Sequence, residues 1–161
     1  MWRKLTAMFF GLSVAFVAGS VWAQDATDII NRRQDLMKRQ SRDLAAVKNF
    51  LDGKGDVAAA QAAAADLVQT TSSIPALFPK GTGMAEFPDK SAAKPLIWTE
   101  PNKFSEAQKN AASKAVVLLE TLKSVDKTAI NVAFDAMIRG GIWDATNACG
   151  GCHVPFRERR S

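Results

Sequence analysis

The chain has 161 residues, with 21 Lys and Arg against 16 Asp and Glu, a net charge of +5, two cysteines and one histidine. That length suits one domain around one core. The charges are interspersed, with no basic run interleaved with aromatics, which sets nucleic acid aside as a partner.

The first predicted element is a leader. Arg3 and Lys4 precede an apolar run from Leu5 to Val17, broken only by Thr6, Gly11 and Ser13. Val21-Trp22-Ala23 then offers small residues where a signal peptidase reads. Residues 1–23 therefore read as a secretory signal cleaved after Ala23, and residues 24–161 as the exported domain. The run is short for a membrane span, and no later segment is apolar enough for one. Removal of Arg3 and Lys4 leaves the exported domain only mildly basic. Export places it in an oxidising compartment, the periplasm.

The first helix is predicted from about Asp28 to Leu51. Ile30, Met37, Leu44 and Leu51 recur every seven residues, and Val47 and Phe50 widen the stripe. Gly53-Lys54-Gly55 ends it. Asp56 can cap a second helix, Val57 to about Ser72, whose alanines let a neighbouring helix or a flat ligand come close. Ala60, Ala64, Leu67 and Thr71 share one face.

Residues 74–102 hold Pro75, Pro79, Pro88, Pro95 and Pro101 as well as Gly81 and Gly83. Proline is excluded from helix interiors, so this stretch reads as a crossover loop anchored by Leu77, Phe78, Phe87, Ile97 and Trp98. A loop of this length needs a reason to be ordered, such as lining a ligand pocket or joining parallel helices. A third helix follows from about Phe104 to Ser124. Its stripe of Phe104, Gln108, Ala111, Ala115, Leu118, Leu122 and Val125 steps by threes and fours, the pattern of a bundle seam. A fourth helix begins near Asp126 and uses Ala129, Val132, Ala133, Ala136 and Met137. Gly140-Gly141 is placed to kink or break it before Trp143. Strand signals are absent. The predicted fold is all-α, an antiparallel four-helix bundle with a long crossover between helices 2 and 3.

Cys149-Gly150-Gly151-Cys152-His153 gathers both cysteines and the only histidine into five positions. C-x-x-C-H is the pattern of covalent c-type haem attachment. Two thiols add to the two vinyl groups, and the adjacent imidazole is held under the iron as an axial ligand. A thioredoxin-type C-x-x-C belongs near a βαβ pattern, which is missing here. A structural zinc site wants four protein ligands, and only three are present. A plain disulfide would make no use of His153.

A C-terminal C-x-x-C-H followed by an aromatic and an arginine, Cys149 to Arg157, resembles the class II cytochromes c, the cytochrome c-prime superfamily. The resemblance covers nearly all of the exported domain. Arg33-Gln34-Asp35-Leu36-Met37 is similar to the family's arginine-to-distal-residue run on the first helix. Leu77-Phe78-Pro79, Pro95 to Trp98 and Phe104 are similar to its crossover. One stretch departs from the pattern: Arg139-Gly140-Gly141-Ile142-Trp143 is longer and richer in glycine than the family's run into the haem motif. That leaves open how straight the last helix is and what Trp143 touches.

The sixth iron position decides the function. Three methionines remain after the leader. Met137 shares the predicted helix of His153, so it cannot easily reach the opposite face. Met84 would reach only if the crossover folded over the haem. Met37 lies on the stripe that a bundle turns toward the haem, either as a ligand or as core filler. The resemblance implies that Met37 ligates the iron, as in the low-spin cytochrome c-556 type, in which case the chain carries single electrons and is not an enzyme. The alternative is a high-spin, five-coordinate haem that binds nitric oxide or carbon monoxide.

Arg33 stands one turn before Met37 and by resemblance pairs with a haem propionate; otherwise it is a solvated basic residue. Arg157 reads either as a neighbour of the proximal imidazole or as a surface arginine. Lys38, Arg39, Arg42, Arg159 and Arg160 either ring the haem edge, where they would attract an acidic redox partner, or form an ordinary solvated face. The flat alanine-lined face is compatible with a homodimer.

Overall fold

The computed structural model describes residues 18–160, with side chains from Gln24 onward. The leader's positions 1–17 lie outside the described residues. No described helix is long and apolar enough to cross a membrane.

Helix α1, Ala18–Leu51, starts before the predicted Asp28 and runs through the position expected for cleavage. Gly53, in the left-handed region at φ 74°, turns the chain after it. Asp56 accepts a hydrogen bond from the Ala59 N–H and so caps α2, Val57–Ser73. The short connection makes α1 and α2 antiparallel neighbours, and Ala60, Ala63, Ala64 and Leu67 bury the shared face. These small side chains also admit α4, Pro101–Ser124, whose Ala111, Ala115, Leu118 and Leu122 fill the main core with Val47, Ile130 and Met137. Burying a leucine or isoleucine here is worth about 1.5–3 kcal/mol each. Gln108 belongs to the same seam and is buried because its amide donates to the Thr71 carbonyl at 2.9 Å.

The crossover is more ordered than its prolines suggest. A single 3-10 turn covers Ile74–Leu77, and a short helix, α3, covers Leu96–Thr99. Trp98 Nε1 donates to the Phe78 carbonyl at 2.9 Å, fixing one end of the loop on the other. Phe104 stands edge-on to Phe78 at 5.0 Å and to Phe156 at 5.2 Å. With Ile74, Ala93 and Ile97 these rings form a second apolar cluster, against which Met37 and Cys152 pack.

The predicted fourth helix is two helices. α5, Lys127–Ile138, is capped by Asp126, and α6, Ala148–Phe156, carries the C-x-x-C-H run. Gly140 at φ 76° and Gly141 at φ 85° adopt the left-handed conformation that breaks the helix between them. The sequence reading that put Met137 and His153 on one continuous helix is therefore corrected. Beyond α6 the chain pairs antiparallel with the crossover through an isolated bridge of Ala93 and Arg157. Lys94 N–H donates to the Phe156 carbonyl at 2.9 Å, and Glu158 N–H to the Ala92 carbonyl at 2.8 Å. The fold is an all-helical bundle with a long, pinned crossover.

Candidate functional site

An apolar cavity lies between α1, α2, α4, α6 and the crossover, with a volume of about 460 Å³. That is the size of a small-molecule or cofactor site. Met37 and Leu44 line it from α1, Phe104 and Ala111 from α4, and Cys149, Cys152 and His153 from α6. Between α1 and α6 no pair of Cα atoms comes within 8 Å, so the wall with Met37 and the wall with His153 are held apart by the cavity.

Asn147 sets the start of α6. Its Oδ1 accepts from the Gly150 N–H at 2.8 Å, while Nδ2 donates to the carbonyls of Arg139 and Gly141 at 2.6 and 2.9 Å. The same side chain thus caps the haem-motif helix and closes the glycine loop before it. The sequence reading passed over this residue, although an Asn just before a helix is a cap signal. Gly150 is obligatory for a different reason. A Cβ there would stand 1.8 Å from the Asp144 carbonyl oxygen.

Both thiols are free and half-buried rather than joined in a disulfide. Burial pushes the Cys149 thiol up to about 11, and burial together with the charge of Cys149 pushes Cys152 up to about 12. Neither is the depressed thiolate that redox C-x-x-C chemistry uses. His153 is pushed down to about 4, first by burial and then by the charge of Arg157. Its ring is neutral, as an iron ligand must be. Nδ1 of His153 is buried without a hydrogen-bond partner. The donor set fits covalent haem: two thiols, an imidazole with an unsatisfied ring, and an apolar space beside them.

Met84 does not line the cavity, whereas Met137 does, from a position 1% exposed in the main core. Arg33 lines the cavity and is only 6% exposed, so the solvated reading fails. Its Nη1 donates to the Leu77 carbonyl and Thr82 Oγ1, both at 3.3 Å. Its Nη2 donates to the Thr82 carbonyl and Ser91 Oγ, both at 2.9 Å. The guanidinium also lies 4.5 Å from the Phe78 ring centroid. Its terminal N–H groups therefore end on the crossover. Thr82 and Ser91 carried no sequence signal for this, because their partner is on α1.

Arg157 lines the cavity on the side of His153. Of the five rim candidates, Lys38 and Arg160 line the cavity, joined there by Lys90. Arg160 is anchored by hydrogen bonds to the carbonyls of Pro88, Asp89 and Ser91. Arg39 is instead paired with Asp66, and Arg159 lies over Trp143.

The signature of the family described as Cytochrome C' matches residues 28–157. The chain is 27% identical to cytochrome c-556 of Rhodopseudomonas palustris, over 91% of this chain and 93% of that protein. It is also 27% identical to a cytochrome c' of the same organism, over 90% and 92%. A solved cytochrome c', described as showing ligand-controlled dimer dissociation, superposes with a TM-score of 0.70 at 22% identity, covering 83% of this chain and 97% of that one.

Proposed function

This chain belongs to the cytochrome c' family and carries covalent haem c; from that premise we propose that it is a periplasmic carrier of single electrons, with the iron held between His153 and Met37. It transforms no substrate and is not an enzyme. The haem supplies a one-electron couple at its iron. The chain's own residues attach, orient and enclose it. Cys149 and Cys152 provide the thioether sulfurs. His153, neutral and carried by the same helix, supplies the proximal nitrogen. Met37 approaches from α1.

The single observation that carries this reading is the position of Met37: it lines the cavity from the helix opposite the one that bears His153. Thioether–imidazole ligation raises the reduction potential relative to two imidazoles. Leu44, Phe104 and Ala111 keep water from the site, and Arg33 holds the crossover over it while offering Nε–H to a propionate. Lys38, Lys90 and Arg160 make the rim cationic, which suits an acidic redox partner. Dimer dissociation in the solved cytochrome c' supports a homodimer here as well.

Gas binding at an open iron is the second reading, favoured by the equal identity to a cytochrome c'. The visible spectrum of the haem-loaded protein, oxidised and reduced, decides between them. Sharp, split bands on reduction and no response to carbon monoxide support Met37 as ligand. Met37→Ala should then give a high-spin spectrum that responds to carbon monoxide. A parent spectrum already broad and responsive overturns the electron-carrier reading.

A further inference from the structure

Trp143 stands in the glycine loop between α5 and α6, and its surroundings give it a task. Its ring centroid is 6.4 Å from that of His153, with the planes inclined at 58°. His153 lines the haem cavity and Trp143 does not. The Cζ of Arg157 lies 5.3 Å and that of Arg159 4.6 Å from the indole centroid. Two guanidiniums thus hold one indole through cation–π attraction.

The backbone on each side of this cluster is fixed. Asn147 Nδ2 ties the loop at Arg139 and Gly141, and Asp144 N–H donates to the Gly141 carbonyl at 3.3 Å. The tail is tied by the bridge of Arg157 with Ala93 and by Glu158 N–H on the Ala92 carbonyl. The indole is therefore carried by one anchored segment and gripped by another. His153 borders the cavity and faces the indole, with its Nδ1 buried and unpartnered. Nothing hydrogen-bonded holds the imidazole from behind among the described residues. Packing must do it.

We propose that Trp143, gripped by Arg157 and Arg159, is a positioning residue that backs His153 and resists its displacement from the iron, confining ligand exchange to the side of Met37. This rests on the assignment of His153 as the proximal ligand, and it holds whether Met37 is a ligand or only a neighbour. The break between α5 and α6 gains a purpose: it brings an indole to the side of the imidazole.

The test uses the haem-loaded protein with Met37→Ala, which leaves the opposite side open under either reading. Nitric oxide is added to the ferrous form, because it weakens the bond of the ligand across the iron. Nitrogen hyperfine splitting in the electron paramagnetic resonance spectrum then counts how many molecules keep the histidine nitrogen. Adding Trp143→Ala should raise the released fraction about tenfold, the loss expected for two cation–π contacts together. Adding Trp143→Phe should restore most of the retention. Arg159→Ala, at an exposed position, should raise release about threefold and serves if Trp143→Ala fails to accumulate. Equal release in all these proteins overturns the proposal, as does complete release in the Met37→Ala parent. Absence of the iron–histidine stretching signal from the resonance Raman spectrum of the ferrous Met37→Ala protein, before nitric oxide is added, overturns both the proposal and the assignment of His153. Retention of that signal with unchanged release overturns the proposal alone.

Discussion

Ser91 Oγ accepts a hydrogen bond from Arg33 Nη2 at 2.9 Å and is one of the acceptors that join α1 to the crossover. The same hydroxyl donates to the Thr82 carbonyl at 2.9 Å and accepts from the Ala93 N–H at 3.2 Å. Both side chains are buried, and burial lowers the Arg33 guanidinium to about 10. A charge so placed depends on its acceptors. Ser91→Ala should cost about 1–3 kcal/mol, since it leaves a buried cationic donor short of one partner. Urea denaturation of the haem-loaded protein measures it. Ser41→Ala, at an exposed hydroxyl that only meets the Met37 carbonyl, should stay within about 0.5 kcal/mol.

Asn147 uses both ends of its amide, and two substitutions separate them. Asn147→Asp keeps the oxygen that receives the Gly150 N–H but loses both donors and sets a carboxylate against two carbonyls. Asn147→Ala loses all three bonds without adding a charge. Each should destabilise by about 2 kcal/mol or more, with Asp at least as costly as Ala. A clearly milder Asp variant in thermal melts would mean that the cap, rather than the loop closure, is what the amide provides.

The two glycines inside the C-x-x-C run should respond oppositely to alanine. At Gly150 a Cβ meets Asp144 backbone atoms at 1.8 and 2.5 Å, and backbone cannot step aside. Gly150→Ala should therefore cost about 3 kcal/mol or more. At Gly151 the nearest atom to a Cβ is the Ala145 oxygen at 3.7 Å, an ordinary contact. Gly151→Ala should be neutral or gain up to about 1 kcal/mol of helix propensity. Melting curves of the two variants side by side test the difference.

Asp43 on α1 and Asp66 on α2 are neighbouring carboxyls whose acidities are shifted in opposite directions. Asp43 is raised to about 6, first by burial and then by its hydrogen bond to Asp66 and the charge there, against the pull of Arg39 and Arg42. Arg39 holds Asp66 low, with Nε donating to its Oδ2 at 2.5 Å. Asp43 Oδ2 is buried without a donor. Below about pH 4 an unfolded aspartate and Asp43 are both protonated. Between about pH 4 and 6 only the folded chain keeps this proton, so the contribution of Asp43 to stability falls as pH rises. Asp66 acts with the opposite sign, losing its contribution on acidification. Asp43→Asn should therefore gain on the parent by about 1 kcal/mol between pH 4 and 7, a value reduced for partial solvent screening. Urea denaturation at the two pH values checks it, and an unchanged difference would mean that Asp43 is ionised across that range.

Several of these features left no trace in the residue pattern, and others were written there openly. The stripes through Leu67 and Leu118, the cap at Asp56, the helix start near Asp126 and the proline-rich crossover were legible because each is a relation among residues a few positions apart. The haem motif was legible for the same reason: its chemistry requires two sulfurs and an imidazole at fixed short spacing, so local sequence alone determines it. The break at Gly140-Gly141 was half legible, since glycine signals a left-handed turn without saying how the chain continues. What the tertiary structure decided was every contact between segments far apart in the chain. Arg33 reads from the sequence as a neighbour of Met37; only folding shows that its N–H groups end on Thr82 and Ser91. Gly150 reads as a spacer until the Asp144 carbonyl closes over it. Trp143 reads as an unplaced aromatic until the tail brings Arg157 and Arg159 to its ring. The physical reason is that periodicity records which face of an element is buried, whereas the partner on that face is chosen by chain reversal and packing, which no local spacing encodes.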